Sequence, residues 1–323
     1  MKLKVKCESW PIVRPFRIAY RTMTCVDMVV VELEHRGFVG RGEGLEVVYK
    51  DETVDVMVDQ IEALRDIIET GVTHGALYEF LPPGGARNAL DCALWDLACK
   101  QARQTIWQRL QITPRQLQTV YTIGIDTPAK MAENARTSKE PTLKIKISAD
   151  NPCEQVRSVR AARQDARLIV DANQAFDPAE LPGLLSELHA LGVEMVEQPV
   201  KAGADTAFDA LNSPIPLAAD ESCLTSQDVD YLVGRYQVAN IKLDKTGGLT
   251  EALKLRDACT AAGLELMVGC MAGTSLAMAP AYVIGQSCRY VDIDGPLLQI
   301  GDRENALTYD AGHVSIPRPE LWG

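Results

Sequence analysis

Eight short apolar stretches recur at nearly constant intervals between residues 119 and 296, and this recurrence restricts the fold more than any other feature. They are TVYTIGI (119–125), LKIKIS (143–148), RLIVDAN (167–173), EMVEQPV (194–200), PLAADES (216–222), VANIKLD (238–244), ELMVGCM (265–271) and YVDIDGP (290–296). Their starts are 24, 24, 27, 22, 22, 27 and 25 residues apart, the length of one strand, one helix and two loops. Helical signals fall between them at 153–163, 179–191, 225–232 and 248–262. Eight such units predict an α/β fold of the TIM-barrel type.

The first third reads differently. Residues 1–50 alternate apolar and polar, notably Met28 to Glu34 (MVVVELE), which predicts a small antiparallel sheet. GRGEG (40–44) contains Gly-x-Gly-x-Gly but follows no βαβ pattern, so it reads as a hairpin turn and not as a dinucleotide site. Helical periodicity covers 52–70, through Val54, Val58, Ile61, Leu64 and Ile68. The stretch ARNALDCALWDLACKQA predicts an amphipathic helix with Ala89, Ala93, Leu94, Trp95 and Leu97 inward.

Composition excludes several classes of function. No run of 18 apolar residues occurs, so no membrane-spanning helix is expected. The first 13 residues read as a strand without the apolar core of a signal peptide. A net charge of −11 repels phosphate backbones and argues against nucleic acid. Nine scattered cysteines without Cys-x-x-Cys suit a reducing cytoplasm. Four histidines, far apart, argue against zinc, so a bound metal would need oxygen ligands and would be Mg2+ or Mn2+.

In a barrel, chemistry sits at the C-terminal strand ends. Here those ends carry Lys144 and Lys146, Asp171, Glu197, Asp220 and Glu221, Lys242, and Asp292 and Asp294. Three carboxylates on adjacent strands, Asp171, Glu197 and Asp220, repel one another unless a hard cation neutralises them. A carboxylate substrate held there can lose its α-proton, because positive charge stabilises the enediolate. Lys146 and Lys242, on strands two and six, would face opposite sides of that planar species, and a nearby cation would lower a lysine's pKa towards neutrality. One removes the proton and the other returns it, which inverts the carbon. Thr274 and Ser275 are expected at the mouth after strand seven, and Cys270 is expected to pack.

LKIKIS, VDANQ, VEQP, ADES, NIKLDKTGG and MVGCM, together with ALDCALWDLA, resemble the enolase superfamily in its muconate-lactonizing subgroup. The resemblance covers the whole chain. It implies a modified TIM barrel, (β/α)7β (117–299), behind an α+β capping domain (1–116), with a tail (300–323) packing back on that domain. It implies Asp171, Glu197 and Asp220 as metal ligands, Lys146 and Lys242 as the acid/base pair and Lys144 as electrostatic support. Lys245 rivals Lys242, but the motif favours the lysine directly after Asn-Ile. The Asp292-Ile-Asp294-Gly-Pro segment looks like that of the dipeptide epimerases, especially those acting on L-Ala-D/L-Glu from murein, where paired aspartates hold the substrate ammonium. Arg21, with Arg17 as competitor, sits where some of these enzymes bind the side-chain carboxylate. Residues 17–24 and 46–51 are expected to form capping loops. The resemblance thus implies a small dipeptide partner and is compatible with a homo-oligomer. Epimerases of other dipeptide specificity, o-succinylbenzoate synthase or muconate cycloisomerase chemistry, a metal-independent Schiff-base aldolase and a non-catalytic binding protein are the alternatives.

Overall fold

The computed structural model describes residues 1–19 and 21–323. The amino-terminal alternation forms three antiparallel strands, β1 (Lys2–Ile18), β2 (Arg21–His35) and β3 (Phe38–Leu45), in that order. The period of two divides β2 between two cores. Val29, Val31 and Leu33 pack into a core of the capping unit, whereas Val26, Met28 and Val30 pack into the main core. The sheet is therefore buried on both faces, which explains the unbroken MVVV run.

Helices α1 (Val54–Ala63), α2 (Arg65–Gly71), α3 (His74–Phe80) and α4 (Gly85–Ala102) cover one face. The single helix expected over 52–70 is two helices, divided at Leu64, whose φ of −103° leaves the helical range. α4 differs from expectation too. Thirteen of its residues are buried, so it has no solvated face, and Trp95 is only half-buried. The reason is that α4 is wedged between β3 and the barrel. Arg87 donates to the Thr246 carbonyl at 2.7 Å, and Asn88 donates to Asp244 at 2.8 Å.

The Gly-x-Gly-x-Gly run is strand β3 and not a turn; the turn is at Arg36–Gly37, both with positive φ. A Cβ on Gly40, Gly42 or Gly44 would lie 2.2, 2.0 or 2.1 Å from the Ala93, Ala89 or Gly85 carbonyl oxygen. The glycines form a groove that lets the α4 backbone lie directly on the sheet.

After β4 (Leu117–Gln118) come eight parallel strands: β5 (Tyr121–Ile123), β6 (Thr142–Lys146), β7 (Arg167–Asp171), β8 (Val193–Glu197), β9 (Leu217–Ala219), β10 (Val238–Ile241), β11 (Glu265–Val268) and β12 (Tyr290–Val291). They lie side by side in sequence order, and each starts within two residues of the expected position. The sheet curls until Val120 N donates to the Val291 carbonyl at 2.9 Å. Val120, Ile169, Met195, Ala218, Val238, Met267 and Tyr290 form one buried layer inside it. The expected intervening helices are present at Pro152–Ala162, Leu181–Ala190, Val229–Leu232 and Leu249–Ala261. Strands β13 (Tyr309–Asp310) and β14 (His313–Val314) pair with β4, and the last residues reach the capping unit. There Trp322 donates to the Cys92 carbonyl at 3.0 Å and Gly323 N donates to Asp96 at 2.9 Å. No described helix is long and apolar enough to cross a membrane.

Two predictions concern this interface. Gly42→Ala forces α4 off β3 and lowers stability by about 3 kcal/mol, read from the urea midpoint; an unchanged midpoint would show that the helix can retreat freely. Asp244 is buried and accepts from Leu45 N at 2.9 Å and from Asn88. Burial raises its pKa to about 7, against the hydrogen bonds that favour its ionised form. A carboxyl raised in the folded state binds its proton more tightly there than in the unfolded chain. Its contribution is full below about pH 4 and is lost as pH rises towards 7. Asp244→Asn keeps an acceptor oxygen and removes that loss. The fall in stability from pH 5 to pH 7 becomes shallower by roughly 2 kcal/mol in calorimetry; parallel profiles would refute this.

Candidate active site

The barrel strands deliver their charged residues to one mouth, and the capping unit roofs it. One cavity is lined by Lys144, Lys146, Asp220, Glu221, Lys242, Asp292 and Asp294 from the barrel, and by Phe16, Ile18, Arg21, Met23, Glu46 and Tyr49 from the cap. Asp171 and Glu197 form its floor and are fully buried.

The polar contacts connect these groups closely. Lys146 Nζ donates to Asp171 Oδ2 at 2.5 Å and to Asn173 Oδ1 at 3.1 Å. Lys144 Nζ lies 3.0 Å from Asp171, 2.7 Å from Glu197 and 2.7 Å from Asp292. Lys242 Nζ donates to Asp220 Oδ2 at 2.7 Å. Asn240 Nδ2 donates to Glu197 Oε1 at 2.7 Å, while Glu197 Oε2 has only the nearby Lys144 ammonium, without hydrogen-bonding geometry.

Lys242 and Lys245 separate cleanly. Lys245 Nζ donates to Asp220 Oδ1, the Asp220 carbonyl and the Asn240 carbonyl, so all three of its N–H groups are engaged beneath the cavity. Lys242 lines the cavity itself. Its side chain has room because position 269 is glycine, where a Cβ would lie 2.8 Å from Lys242 Cε. Arg21 and Arg17 separate as well. Arg21 lines this cavity, while Arg17 lines a neighbouring one against β5.

The electrostatics favour a cation. Burial opposes ionisation of Asp171 and Asp220, but the adjacent lysines outweigh it and hold both well below the usual carboxylate range. Burial and the Asp171 charge push Glu197 up to about 7, and burial with Asp220 pushes Glu221 up to about 8. Burial works against the Lys242 ammonium, yet Asp220 and Glu197 raise its pKa. The lowering expected from a neighbouring cation is thus not a property of the protein's own charges. Six carboxylates (Asp171, Glu197, Asp220, Glu221, Asp292, Asp294) face four ammonium groups (Lys144, Lys146, Lys242, Lys245), all buried. The carboxylates outnumber the ammonium groups by two, and a divalent ion would favour the ionised form of Glu197 and Glu221, which burial pushes towards neutrality. The donors at Asp171, Glu197 and Asp220 are all oxygen, and Glu197 Oε2 has no hydrogen-bond donor among the described residues. These residues fit a hard cation.

Asp292 and Asp294 are brought together, with Cys270 Sγ and an oxygen of each within 4.8 Å of one another. Burial and the two carboxylates raise the Cys270 pKa far above its ordinary value, so the thiol stays neutral and packs. Asp294 accepts from Thr122 N at 2.6 Å; burial and Asp292 push it up to about 8.

Thr274 and Ser275 do not reach the cavity, contrary to expectation. Both are fully buried. Thr274 N donates to Glu43 at 2.8 Å, Ser275 N donates to Asp302 at 2.9 Å, and Arg303 pairs with Glu43 at 2.8 Å. They clamp the loop after β11 between cap and tail. The expected capping loops differ in form. Residues 18 and 21–23 belong to the β1–β2 hairpin, 48–50 form a 3-10 turn, and Tyr20 lies outside the described residues.

Gln198 has a role that the sequence reading missed. Its Oε1 accepts from Asp220 N at 2.9 Å and Ser222 N at 3.2 Å, and its Nε2 donates to Tyr236 Oη at 3.1 Å. The glutamine ties the loop after β8 to the backbone of Asp220. Gln198→Ala is predicted to weaken Mn2+ binding at least about tenfold in a calorimetric titration; unchanged affinity would show that Asp220 is held without it.

Two family models match the chain: mandelate racemase / muconate lactonizing enzyme, N-terminal domain, over residues 1–110, and enolase C-terminal domain-like, over residues 129–320. The chain is 41% identical to an N-acetyl-D-glutamate racemase of Pseudoalteromonas sp over 92% of this chain and 95% of the relative. It is 41% identical to the L-Ala-D/L-Glu epimerase of Escherichia coli (strain K12) over 97% and 99%. It superposes with a TM-score of 0.97 and 38% identity on an enolase family member from Agrobacterium tumefaciens with homology to dipeptide epimerases, covering 99% of both chains. That structure holds sodium and L-Ala-L-Glu with an ordered loop. Solved dipeptide epimerases that resemble this chain carry Mg2+.

Proposed function

The chain belongs to the mandelate racemase/muconate lactonizing enzyme family of the enolase superfamily, and on that premise we propose that it epimerises the glutamyl residue of L-Ala-D/L-Glu. The observation that carries this reading is the placement of Lys146 and Lys242. They end the second and sixth of eight barrel strands, on opposite sides of one cavity, each against a different carboxylate of the floor. Both relatives above bear glutamate in their names, which supports a glutamyl residue at the reacting carbon.

Asp171, Glu197 and Asp220 would hold Mg2+, which supplies positive charge opposite the substrate α-carboxylate. With the α-carbon between the lysines, the amine of one takes the α-proton, and the ammonium of the other delivers a proton to the opposite face. Roles exchange in the reverse direction. Lys144, bridging Asp171, Glu197 and Asp292, adds positive charge beside the developing enediolate. Asp292 and Asp294 receive the alanyl ammonium, and Arg21 receives the side-chain carboxylate. The nine free cysteines support a reducing cytoplasm, where murein peptides are the source of such a dipeptide.

A second reading is favoured by one observation. Burial and the neighbouring Asp292 raise Asp294 to about 8, which favours its protonated form, and a protonated Asp294 donates to an acyl carbonyl instead of accepting from an ammonium. Racemisation of N-acetylglutamate would use it so. The aspartate pair disfavours o-succinylbenzoate and muconate chemistry, whose substrates carry no ammonium. The Schiff-base aldolase and the non-catalytic alternatives fall with the family assignment.

In deuterated water the wild-type enzyme with Mg2+ should exchange the glutamyl α-proton of L-Ala-L-Glu and of L-Ala-D-Glu. A chelator should abolish this and Mg2+ restore it. Lys146→Ala and Lys242→Ala should each lose epimerisation by about 10³-fold, while each still exchanges the one epimer facing its remaining lysine. Exchange of N-acetylglutamate alone would replace the dipeptide reading by the second one. No exchange with either substrate would overturn both.

A further inference from the structure

We propose that Asp205 is a positioning residue for Asp220, acting through a buried hydrogen-bond chain. The chain runs from Asp205 through Tyr236 and Ser222 to Gln198 and ends on the backbone of Asp220. This rests on the preceding reading, in which Asp220 helps hold the cation. Asp205, Tyr236, Ser222 and Gln198 all lie behind the strand ends and do not line the cavity.

Asp205 begins the 3-10 turn Asp205–Phe208 in the connection between β8 and β9, and it is fully buried. A buried carboxylate is costly unless hydrogen bonds satisfy it. Five donors surround this one. Gly203 N at 2.9 Å and Tyr231 Oη at 3.0 Å donate to Oδ2. Ser222 Oγ at 2.9 Å, Gln198 Nε2 at 3.4 Å and Tyr236 Oη, in a short bond, donate to Oδ1. None of the five is an ammonium or a guanidinium. The two oxygens face different ways. Tyr231 is 37% exposed, so Oδ2 ties down an outer loop, whereas Oδ1 meets the buried Tyr236 and Gln198.

The inner oxygen sets the direction of the chain. The Tyr236 and Ser222 hydroxyls carry one hydrogen each, and the carboxylate takes both. Burial and Asp205 hold the Tyr236 phenol above its ordinary pKa, so it keeps that hydrogen. The hydroxyls are left with lone pairs, which accept from Gln198 Nε2 at 3.1 and 3.0 Å. The Val200 carbonyl accepts from the same nitrogen at 2.9 Å. The amide nitrogen is thereby fixed on this side, and Oε1 is turned to the N–H groups of Asp220 and Ser222. Turned round, the amide would set Nε2 against those two N–H donors and Oε1 against the Val200 carbonyl, leaving buried groups unpaired. Ser222 is also gripped twice, at N by Gln198 and at Oγ by Asp205, so the backbone that carries Asp220 and Glu221 is held from behind.

The test is a calorimetric titration of Mn2+ into the wild type and its variants, with folding checked by circular dichroism. Asp205→Ala should weaken Mn2+ binding about tenfold, the low end for groups that support a metal ligand from behind. Asp205→Asn keeps an oxygen for Tyr236 and Ser222 and gives up the Gly203 contact, so it should stay within about threefold of wild type. Tyr231→Phe removes a donor to the outer oxygen only and should also stay within about threefold. Added to Gln198→Ala, Asp205→Ala should cost less than about threefold more, because the chain is already cut. Should Asp205→Ala not fold, Tyr236→Phe decides in its place; it removes the inner hydroxyl, keeps the ring and should weaken binding at least about fivefold. Unchanged affinity in the deciding variant overturns the proposal. So does an equal loss in Asp205→Asn and Tyr231→Phe, which would mark Asp205 as a loop anchor, and so does full additivity with Gln198→Ala. Failure of the metal reading looks different, because the wild type itself would then take up no Mn2+, and that result overturns both.

Discussion

Everything in this molecule turns on the burial of six carboxylates and four ammonium groups in one barrel mouth. Removing such charges from water is costly unless each finds a partner, and partial pairing leaves strong fields behind. Asp171 and Asp220 find lysines and stay ionised, whereas Glu197 and Glu221 are pushed towards neutrality. A divalent cation on the floor would relieve the second pair and loosen the grip of the first on its lysines. The same imbalance that makes the protein alone hold its protons too tightly therefore makes it receptive to Mg2+. Local backbone strain accompanies it. Asn173, Gln174, Gln198 and Ala272 all have positive φ, and all lie just beyond the ends of strands that deliver site residues. Strain of this kind persists only where surrounding contacts over-determine it, and Gln198 shows how, through its side-chain hydrogen bonds to Asp220 N, Ser222 N and Tyr236 Oη.

Those contacts do not stop at the barrel. The loop after β11 supplies Cys270, Met271 and Ala272 to the cavity wall. It is held by Glu43 of the capping sheet through Thr274 and by Asp302 of the tail through Ser275. The capping unit is in turn fixed by the glycine groove under α4 and by the buried links from Asp244 to Leu45 and Asn88. Cap, barrel and tail are three sides of one support for the site, so a packing fault at Gly42 is felt at the mouth.

Much of this was legible in the sequence because the barrel imposes a period. A strand, a helix and two loops take nearly constant length, so strand ends fall at countable positions, and a charged residue at each end is conspicuous. Asp171, Glu197, Asp220, Lys146, Lys242, Asp292 and Asp294 were singled out that way, and the barrel brings them to one mouth. Features set by contact between distant segments were not. A glycine every second residue looks like a turn until α4 is laid on it. α4 looks amphipathic until the barrel covers its polar face, where Arg87, Asn88 and Asp91 are buried. Thr274 and Ser275 sit at a strand-end position yet bond away from the mouth, because Glu43 and Asp302 reach them from 231 and 27 residues away. Gln198 was read only as part of the VEQP motif, because its role appears only where its loop meets Asp220.

The division between chemistry and selectivity follows from the same physics. Residues on the barrel strands are coupled through a closed sheet, and moving one shifts the charge balance of all. The β1–β2 hairpin lies outside that sheet and meets it at its rim, where Arg14 donates to Tyr121 Oη at 3.0 Å. Its register shifts between Pro11 and Phe16; beyond that point Phe16, Arg17 and Ile18 pair with Met23, Thr22 and Arg21, and the Arg17 carbonyl also accepts from Ile125 N of the barrel at 2.8 Å. Arg21 stands on that hairpin and Glu46 directly follows β3, so their ion pair joins the hairpin to the end of the third strand. A half-buried pair on the cavity wall, still in contact with solvent, contributes only about 0–1 kcal/mol to stability. The pair therefore does little to hold the fold, and what it orients is charge at the cavity wall.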